Sequence, residues 1–368
     1  APAREPCRIL RLADVIDTFL PALERDYAGR LLPGQRQALS AIQRCRTEAS
    51  GTAAIHRHDC GAHAVVPLSC GHRFCPQCQH AAGELWLERQ RAKLLPTDYY
   101  LITFTLPAPL RALVYDHQRD AYDLLIRLAW ETLAGFGWRD KTLHGDLGAT
   151  AVLHTHTRAL DFHPHVHVVL PAGAIDTATR QWRTKGGNFL FPHKALAKVF
   201  RGKWFQAMQE RGWSVTAHLP KPWVVDCTRV GNGEKALVYL ARYLYRGVLS
   251  EKHILRCDAG QVTFRYTDNR AARQTRTLAG ADFLWLLLQH VLPKGLRRTR
   301  DYGFLHANRK RLIQLLQLLL RVCRPPTKPR PPLCCKHCGG VVTVAIFPFA
   351  PPPCPPNPGA ALSLGMPM

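Results

Sequence analysis

A chain of 368 residues with 46% hydrophobic content has room for two or three cored domains at roughly 100–200 residues each, which excludes wholesale disorder. Fifty Lys and Arg against 26 Asp and Glu give a formal charge of +24 and a pI near 10.0, a surplus that calls for a polyanionic partner, nucleic acid ahead of an anionic membrane surface. No apolar run reaches the roughly 18–20 residues of a membrane span, the opening lacks the ordered regions of a signal peptide, and the 13 cysteines then read as thiols or metal ligands of a reducing, cytoplasmic compartment.

In chain order, Ile9, Leu12, Val15, Ile16 and Phe19, then Leu39, Ile42 and Cys45, recur at helical spacing on either side of Pro33-Gly34, which predicts two helices over residues 8–48. Residues 56–80 form a loop-like Cys/His-rich segment, followed by a helix over 83–95 and a β-type run from Tyr99 to Leu106. One long amphipathic helix is expected over 109–138, and paired strands over 149–157 and 165–171. Helices follow at 193–212, 234–249 and 280–292, with a strand at 261–267. Beyond Arg324 lie 13 of the 28 prolines, so the tail is expected to be extended or disordered, with at most one small metal knuckle. The fold class is α+β. The expected domains are a helical and zinc-binding part over 1–95, a catalytic part over 96–310, and a basic helix with a Pro-rich tail over 311–368.

The segment HRHDCGAHAVVPLSCGHRFCPQCQH carries Cys60, Cys70, Cys75 and Cys78. Cys75-Pro-Gln-Cys78 has the spacing that lets two thiolates grip one tetrahedral zinc from a tight turn. The remaining ligands are sought upstream, among Cys60, Cys70, His56, His58, His63 and His72. Its role is structural, because a Cys-rich segment this small buries too little apolar surface to fold alone.

Within LDFHPHVHVVLPAGA, alternation along a strand puts His165 and His167 on one face and Val166, Val168 and Leu170 on the other. Two imidazoles two residues apart, opposite an apolar face, suit a divalent metal. The preceding run VLHTHTRA adds His154 and His156, and a hairpin through 158–163 can bring one of them beside the pair.

The segment KALVYLARYLYRGVLS gathers Leu237, Leu240, Ala241, Leu244 and Val248 into an apolar stripe, with Tyr239, Arg242, Tyr243 and Arg246 opposite it. Tyr239 and Tyr243 stand one turn apart between arginines able to bind phosphate. A phenol beside cations and a metal-bound phosphate fits covalent phosphodiester chemistry, in which tyrosine attacks phosphorus and a 3′-hydroxyl leaves.

With these residues the chain resembles the two-tyrosine rolling-circle transposases of bacterial mobile elements, the insertion-sequence 91 family within the HUH endonucleases. SCGHRFCPQCQ, FTLPAPLRAL, LHTHTRALDFHPHVHVVLPAGA, YLARYLYRGVLS and HVLPKGLRRTRDYGF carry the resemblance, in the family's order and over about residues 35–310. It implies a nuclease and strand transferase dependent on Mg²⁺ or Mn²⁺, acting on single-stranded DNA at element ends and on target DNA, in the bacterial cytoplasm beside the nucleoid. It also implies an antiparallel ferredoxin-like sheet whose open face holds the metal. By position, His165 and His167 match the metal-binding pair and Tyr239 and Tyr243 the nucleophiles, with His154 as first and His163 as second choice for the third metal ligand. Where the family's zinc segment has a further Cys, this chain has Arg57, so His56, His58 or Cys70 is expected to complete the zinc site.

Lys294, Arg297, Arg298 and Arg300 mix with Tyr302 as cations and rings do along single-stranded DNA, and with Arg242 and Arg246 they complete the expected DNA-binding set. Two rivals stand beside this reading. A non-enzymatic zinc module that binds nucleic acid has no use for the tyrosine face. A zinc hydrolase needs a carboxylate base, for which only Asp161 and Asp176 lie close in sequence.

Overall fold

Alternating apolar residues flanked by amphipathic helices dictate a layered α+β protein, and the computed structural model has that form; it describes residues 10–57, 59–245, 247–268, 270–323, 332–335 and 338–347. The chain begins with α1 (Leu12–Tyr27) and α2 (Pro33–Arg44), then the hairpin β1 (Thr52–Arg57) and β2 (His63–Pro67), then α3 (His80–Arg91). The central region runs β3 (Tyr99–Thr105), α4 (Arg111–Asp116), α5 (Gln118–Arg139), β4 (Gly148–His156), β5 (Phe162–Pro171), the small hairpin β6 (Gly173–Asp176) and β7 (Gln181–Thr184), α6 (His193–Glu210), β8 (Val225–Arg229) and α7 (Glu234–Tyr245). The meander β9 (Ile254–Asp258), β10 (Gln261–Thr267) and β11 (Arg273–Ala279) follows, then α8 (Gly280–Leu288), β12 (Thr299–Gly303), α9 (Lys310–Leu319) and β13 (Val342–Phe347).

Five strands form the central sheet in the order β12-β4-β5-β3-β8, antiparallel at every pairing. Tyr100, Ile102 and Phe104 of β3, Ala149, Ala151 and Leu153 of β4, and Val166, Val168 and Leu170 of β5 share one buried face. They pack with Leu125, Leu128 and Ala129 of α5 and Phe200 and Trp204 of α6 in one apolar core. The other face is covered by α3 and α7, where Trp86, Leu87, Leu237, Leu240 and Leu244 meet Val152 and Val169. Both faces are therefore sealed by helices, and β4 is buried along its whole length.

Three expectations change. The long helix is broken at His117, whose backbone leaves the helical region (φ −116°, ψ 37°) and whose ring stacks on Trp213 at 4.9 Å. The first two helices, expected within a part over residues 1–95, also pack beyond it. Leu12, Ile16 and Phe19 share a core with Val262, Phe264, Phe283 and Leu287, and the buried Gln35 amide donates to the Leu288 carbonyl at 2.8 Å. Lys310–Leu319 is helical where a basic helix is expected, but beyond Arg324 the described tail is more than a loose end, because β13 pairs antiparallel with β1, from Thr52↔Phe347 to Arg57↔Val342. The Pro-rich run after Phe347 lies outside the described residues.

Candidate active site

The register of β4 on β5 sets His154 directly opposite His165, and Val152 opposite His167. The imidazoles of His154, His165 and His167 consequently meet on the α7 side of the sheet, with ligand nitrogens all within 4.8 Å of one another. His165 donates from Nδ1 to the His163 carbonyl at 2.7 Å, and His167 Nδ1 lies 2.8 Å from Thr103 Oγ1 on the neighbouring strand. Both contacts hold the rings, and donation from His165 Nδ1 leaves that ring's Nε2 lone pair for a metal. His154 is fully buried, and neither of its ring nitrogens has a hydrogen-bond partner. An orphaned buried imidazole is costly unless something accepts its lone pair, and two more imidazoles converge on the same point. Burial drives His165 down to about 4 and His167 to about 3, and holds His154 well below the ordinary histidine value, so all three are neutral at pH 7 and ready to ligate. The donor set fits a divalent cation. His163 is drawn elsewhere, with Nδ1 2.8 Å from the Arg111 guanidinium.

Because the apolar stripe of α7 seats on the sheet, the helix's neighbouring edge brings both tyrosines to these histidines. The Tyr243 ring stacks on His154 (centroids 4.1 Å apart, planes at 11°) and on His156 at 5.3 Å. Tyr239 lies 5.1 Å from Tyr243, 6.1 Å from His167 and 6.4 Å from His154. Burial, then the neighbouring Tyr243, pushes the Tyr239 phenol above its ordinary value, while Arg158 pulls the other way. Arg158, on the loop between β4 and β5, is the cation that favours the phenolate among the described residues.

The tyrosines open on different clefts. Tyr243 lines one of about 620 Å³ with Arg158, Arg242, Lys252, Arg265 and Tyr266. Tyr239 lines another of about 610 Å³ with Lys235 and Asn232. Of the basic residues expected on the DNA, Arg242 is exposed in the Tyr243 cleft, and Lys294 and Arg297 are exposed before β12. Arg298 instead donates to the Leu153 carbonyl at 3.0 Å, and Arg300 forms an ion pair with Asp123 on α5, so these two serve the sheet. Arg246 lies outside the described residues. Sequence reasoning missed Arg158, Lys252 and Arg265, which three separate loops and strands bring together. The carboxylates a hydrolase would need are engaged elsewhere: Asp161 pairs with Arg276 at 2.7 Å, and Asp176 accepts from the amides of Ala178 and Thr179.

The cysteine site is regrouped. Cys45, Cys70, Cys75 and Cys78 converge, with sulfurs 3.4 Å apart for Cys45–Cys78, 3.5 Å for Cys70–Cys78 and 3.6 Å for Cys45–Cys75. Four thiolates 2.3 Å from one zinc stand about 3.8 Å from each other, close to this spacing, whereas a disulfide needs about 2.05 Å. Cys45 supplies the ligand sought among the histidines; its place in the apolar periodicity of α2 disguised it. Cys60 is corrected out of this site. It sits beyond the end of β1, where the hairpin carries it away from the CxxC turn and toward Cys335 and Cys338. His56 and His63 pair with each other, Nδ1 to Nδ1 at 3.2 Å, His72 accepts from the Phe74 amide, and His58 lies outside the described residues.

Comparison with known proteins gives the family. Residues 148–312 match a family described as "Putative transposase", and residues 15–106 match the transposase zinc-binding domain of the insertion-sequence 91 group. The chain is 33% identical over 330 residues to "Putative transposase y4qJ" of Sinorhizobium fredii (strain NBRC 101917 / NGR234), covering 83% of this chain and 82% of that one. It is 28% identical over 332 residues to the transposase for insertion sequence element IS801 of Pseudomonas savastanoi pv. phaseolicola, covering 84% and 78%. No solved structure matches the chain significantly. The chain belongs to the insertion-sequence 91 family of transposases.

Proposed function

We propose that this transposase is a metal-dependent single-stranded DNA endonuclease and strand transferase of the HUH type, working through a 5′-phosphotyrosine in rolling-circle transposition and recombination of a bacterial mobile element. The observation that carries the reading is the stacking of Tyr243 on His154, one of three neutral imidazoles converging on a single point, with Tyr239 one turn away. In this reading the five-stranded antiparallel sheet is the ferredoxin-like catalytic sheet, residues 96–310 are the catalytic part, and the zinc-built segment helps hold DNA.

His154, His165 and His167 would hold Mg²⁺ or Mn²⁺, which makes the scissile phosphorus more electrophilic. Three imidazoles are softer donors than magnesium usually takes, so manganese suits the set better. Single-stranded DNA follows the basic cleft beside Tyr243, its phosphates against Arg158, Arg242, Lys252 and Arg265 and a base against Tyr266. The tyrosine oxygen bonds to phosphorus, the bond to the 3′-oxygen breaks, and the phenol proton ends on the released 3′-hydroxyl. The reverse reaction, with a different 3′-hydroxyl, rejoins the strands. Separate clefts at Tyr239 and Tyr243 leave room for a donor and a target strand at once.

The test is a labelled single-stranded oligonucleotide carrying the element's own terminus, incubated with the protein and Mn²⁺ or Mg²⁺ and run on a denaturing gel. The expected result is a metal-dependent DNA–protein adduct, lost in Tyr239→Phe/Tyr243→Phe and in His165→Ala. Cleavage without an adduct would mean a water nucleophile and would overturn the reading.

A further inference from the structure

The hairpin of β1 and β2, with β13 on its other edge, makes a three-stranded sheet of order β13-β1-β2 that has almost no core of its own. In β1 only Thr52 and Ala53 are buried, β2 has no buried residue, and Val65, Val66, Val341, Val344 and Ile346 are exposed. A sheet this small and this wet cannot hold its third strand by apolar burial. Something else must fasten a strand that arrives from the far end of the chain.

The register shows what stands at its end. Pairing of Arg57 with Val342 lays residues 338–341 beside the hairpin tip, where Cys60 sits. Gly340 is so close to Asp59 that a β-carbon there would stand 2.1 Å from the carboxylate. Residues 335 and 338–340, the described part of the preceding CxxC segment, form a knuckle. Cys335 donates its amide to the Gly340 carbonyl at 2.8 Å, the Gly339 amide donates back to the Cys335 carbonyl at 2.9 Å, and Gly339 takes a left-handed φ of 75° that favours glycine. The sulfurs of Cys60, Cys335 and Cys338 lie within 4.8 Å of one another. Two thiolates from a knuckle and a third from a facing hairpin supply three of the four ligands of a structural zinc site.

We propose that Cys60, Cys335 and Cys338 bind a second zinc ion, distinct from that of Cys45, Cys70, Cys75 and Cys78, and that this ion staples the C-terminal strand to the N-terminal hairpin. The three thiolates leave the fourth tetrahedral position to a ligand from solvent. Thiolates select zinc over the hard cations that suit the nuclease chemistry. The staple does not depend on the nuclease reading, since zinc content and tail attachment are read without DNA.

The experiment counts zinc per chain by elemental analysis of protein prepared with reductant and zinc. It uses a His167→Ala background, so that metal on the histidines does not enter the count. The expected values are two zinc ions in the background protein and one in each of Cys60→Ser and Cys338→Ser, with unchanged far-ultraviolet circular dichroism. Limited proteolysis in the segment between α9 and the knuckle should leave residues 332–347 attached in the zinc-loaded protein and release them after chelation or in either serine variant. Iodoacetamide should label Cys60, Cys335 and Cys338 at least tenfold more slowly with zinc than without. A background count of one that Cys60→Ser leaves unchanged, or prompt alkylation of all three thiols in zinc-loaded protein, would overturn the proposal. Should Cys60→Ser fail to fold, Cys338→Ser at the exposed end of the knuckle decides alone.

Discussion

The same three strands, β3, β4 and β5, present two buried faces of opposite character. Toward α5 and α6 they show Ile102, Phe104, Ala151, Leu153, Val166 and Val168, a closed face whose strand residues are all apolar, although the Tyr122 hydroxyl and the Trp204 and Trp223 indole nitrogens in the same core have no partner. Toward α7 they show His154, His165 and His167 among Thr103, Val152 and Val169, and there buried nitrogens stand without partners. Alternation in a strand separates the two sets by one residue, so a single run such as HPHVHVVL holds fold and chemistry in interleaved register. The lesson is that burial alone does not mark a core. A buried polar group without a partner costs stability, and a face that gathers several is kept for what it binds.

Substitutions on the two faces break or sharpen this contrast. Phe104→Ala, which removes a fully buried ring packed against Phe200 at 5.0 Å, should cost about 3–5 kcal/mol in urea unfolding. His165→Ala should leave the metal-free protein's stability within about 1 kcal/mol while lowering cleavage by roughly a thousandfold or more, a loss near 4 kcal/mol in the transition state. Equal destabilisation by both would reduce the histidine face to ordinary core.

The histidine side should also be the acid-sensitive one. Burial lowers His290 to about 4, and it holds the Leu160 carbonyl through Nε2 at 2.8 Å. A histidine near 6.5 in the unfolded chain and near 4 in the fold binds more protons unfolded, so its contribution is complete above about pH 6.5 and is lost as pH falls toward 4. That amounts to about 3 kcal/mol across the window, and His290→Gln should flatten the pH dependence of unfolding by up to one proton. An unchanged slope would show that the ring already protonates in the fold.

Thr103→Val removes the partner of His167 Nδ1 but keeps the shape of the strand. Half-maximal cleavage should then need about 10–100 times more Mn²⁺, with little change in melting temperature. The smallest effect is expected outside the sheet. Each of Arg158→Ala and Arg265→Ala should weaken oligonucleotide binding several-fold and lower the salt dependence by about 0.7 in the log–log slope. The same change at Arg300, already paired with Asp123, should leave that slope untouched.

Much of this was legible in the sequence wherever one local rule decides. Period two placed β3, β4 and β5 and the shared face of His165 and His167, and period 3.6 placed α7 with Tyr239 and Tyr243 one turn apart. What escaped were residues whose meaning is set by distant partners. Cys45 reads as the last member of an apolar stripe, and only the turn after α2 aims it at Cys75 and Cys78. Cys60 reads as a neighbour of the CxxC, yet the hairpin extends away from it at about 3.4 Å per residue. Arg158, Lys252 and Arg265 carry no joint pattern, because their cleft is assembled by loops. The break at His117 depends on Trp213, nearly a hundred residues further along the chain.

The pairing of Thr52 with Phe347 also has a consequence for how the chain is made. During synthesis β1 emerges early and waits with one open edge until residues 342–347 have been made. A six-residue ladder on so small a sheet is a weak tether when unaided. A product stopped short of residue 342 therefore keeps a bare strand edge beside exposed Val65 and Val66, the kind of surface on which aggregation and proteolysis act. The pairing of β13 thus ties the integrity of the β1–β2 hairpin to synthesis past residue 347.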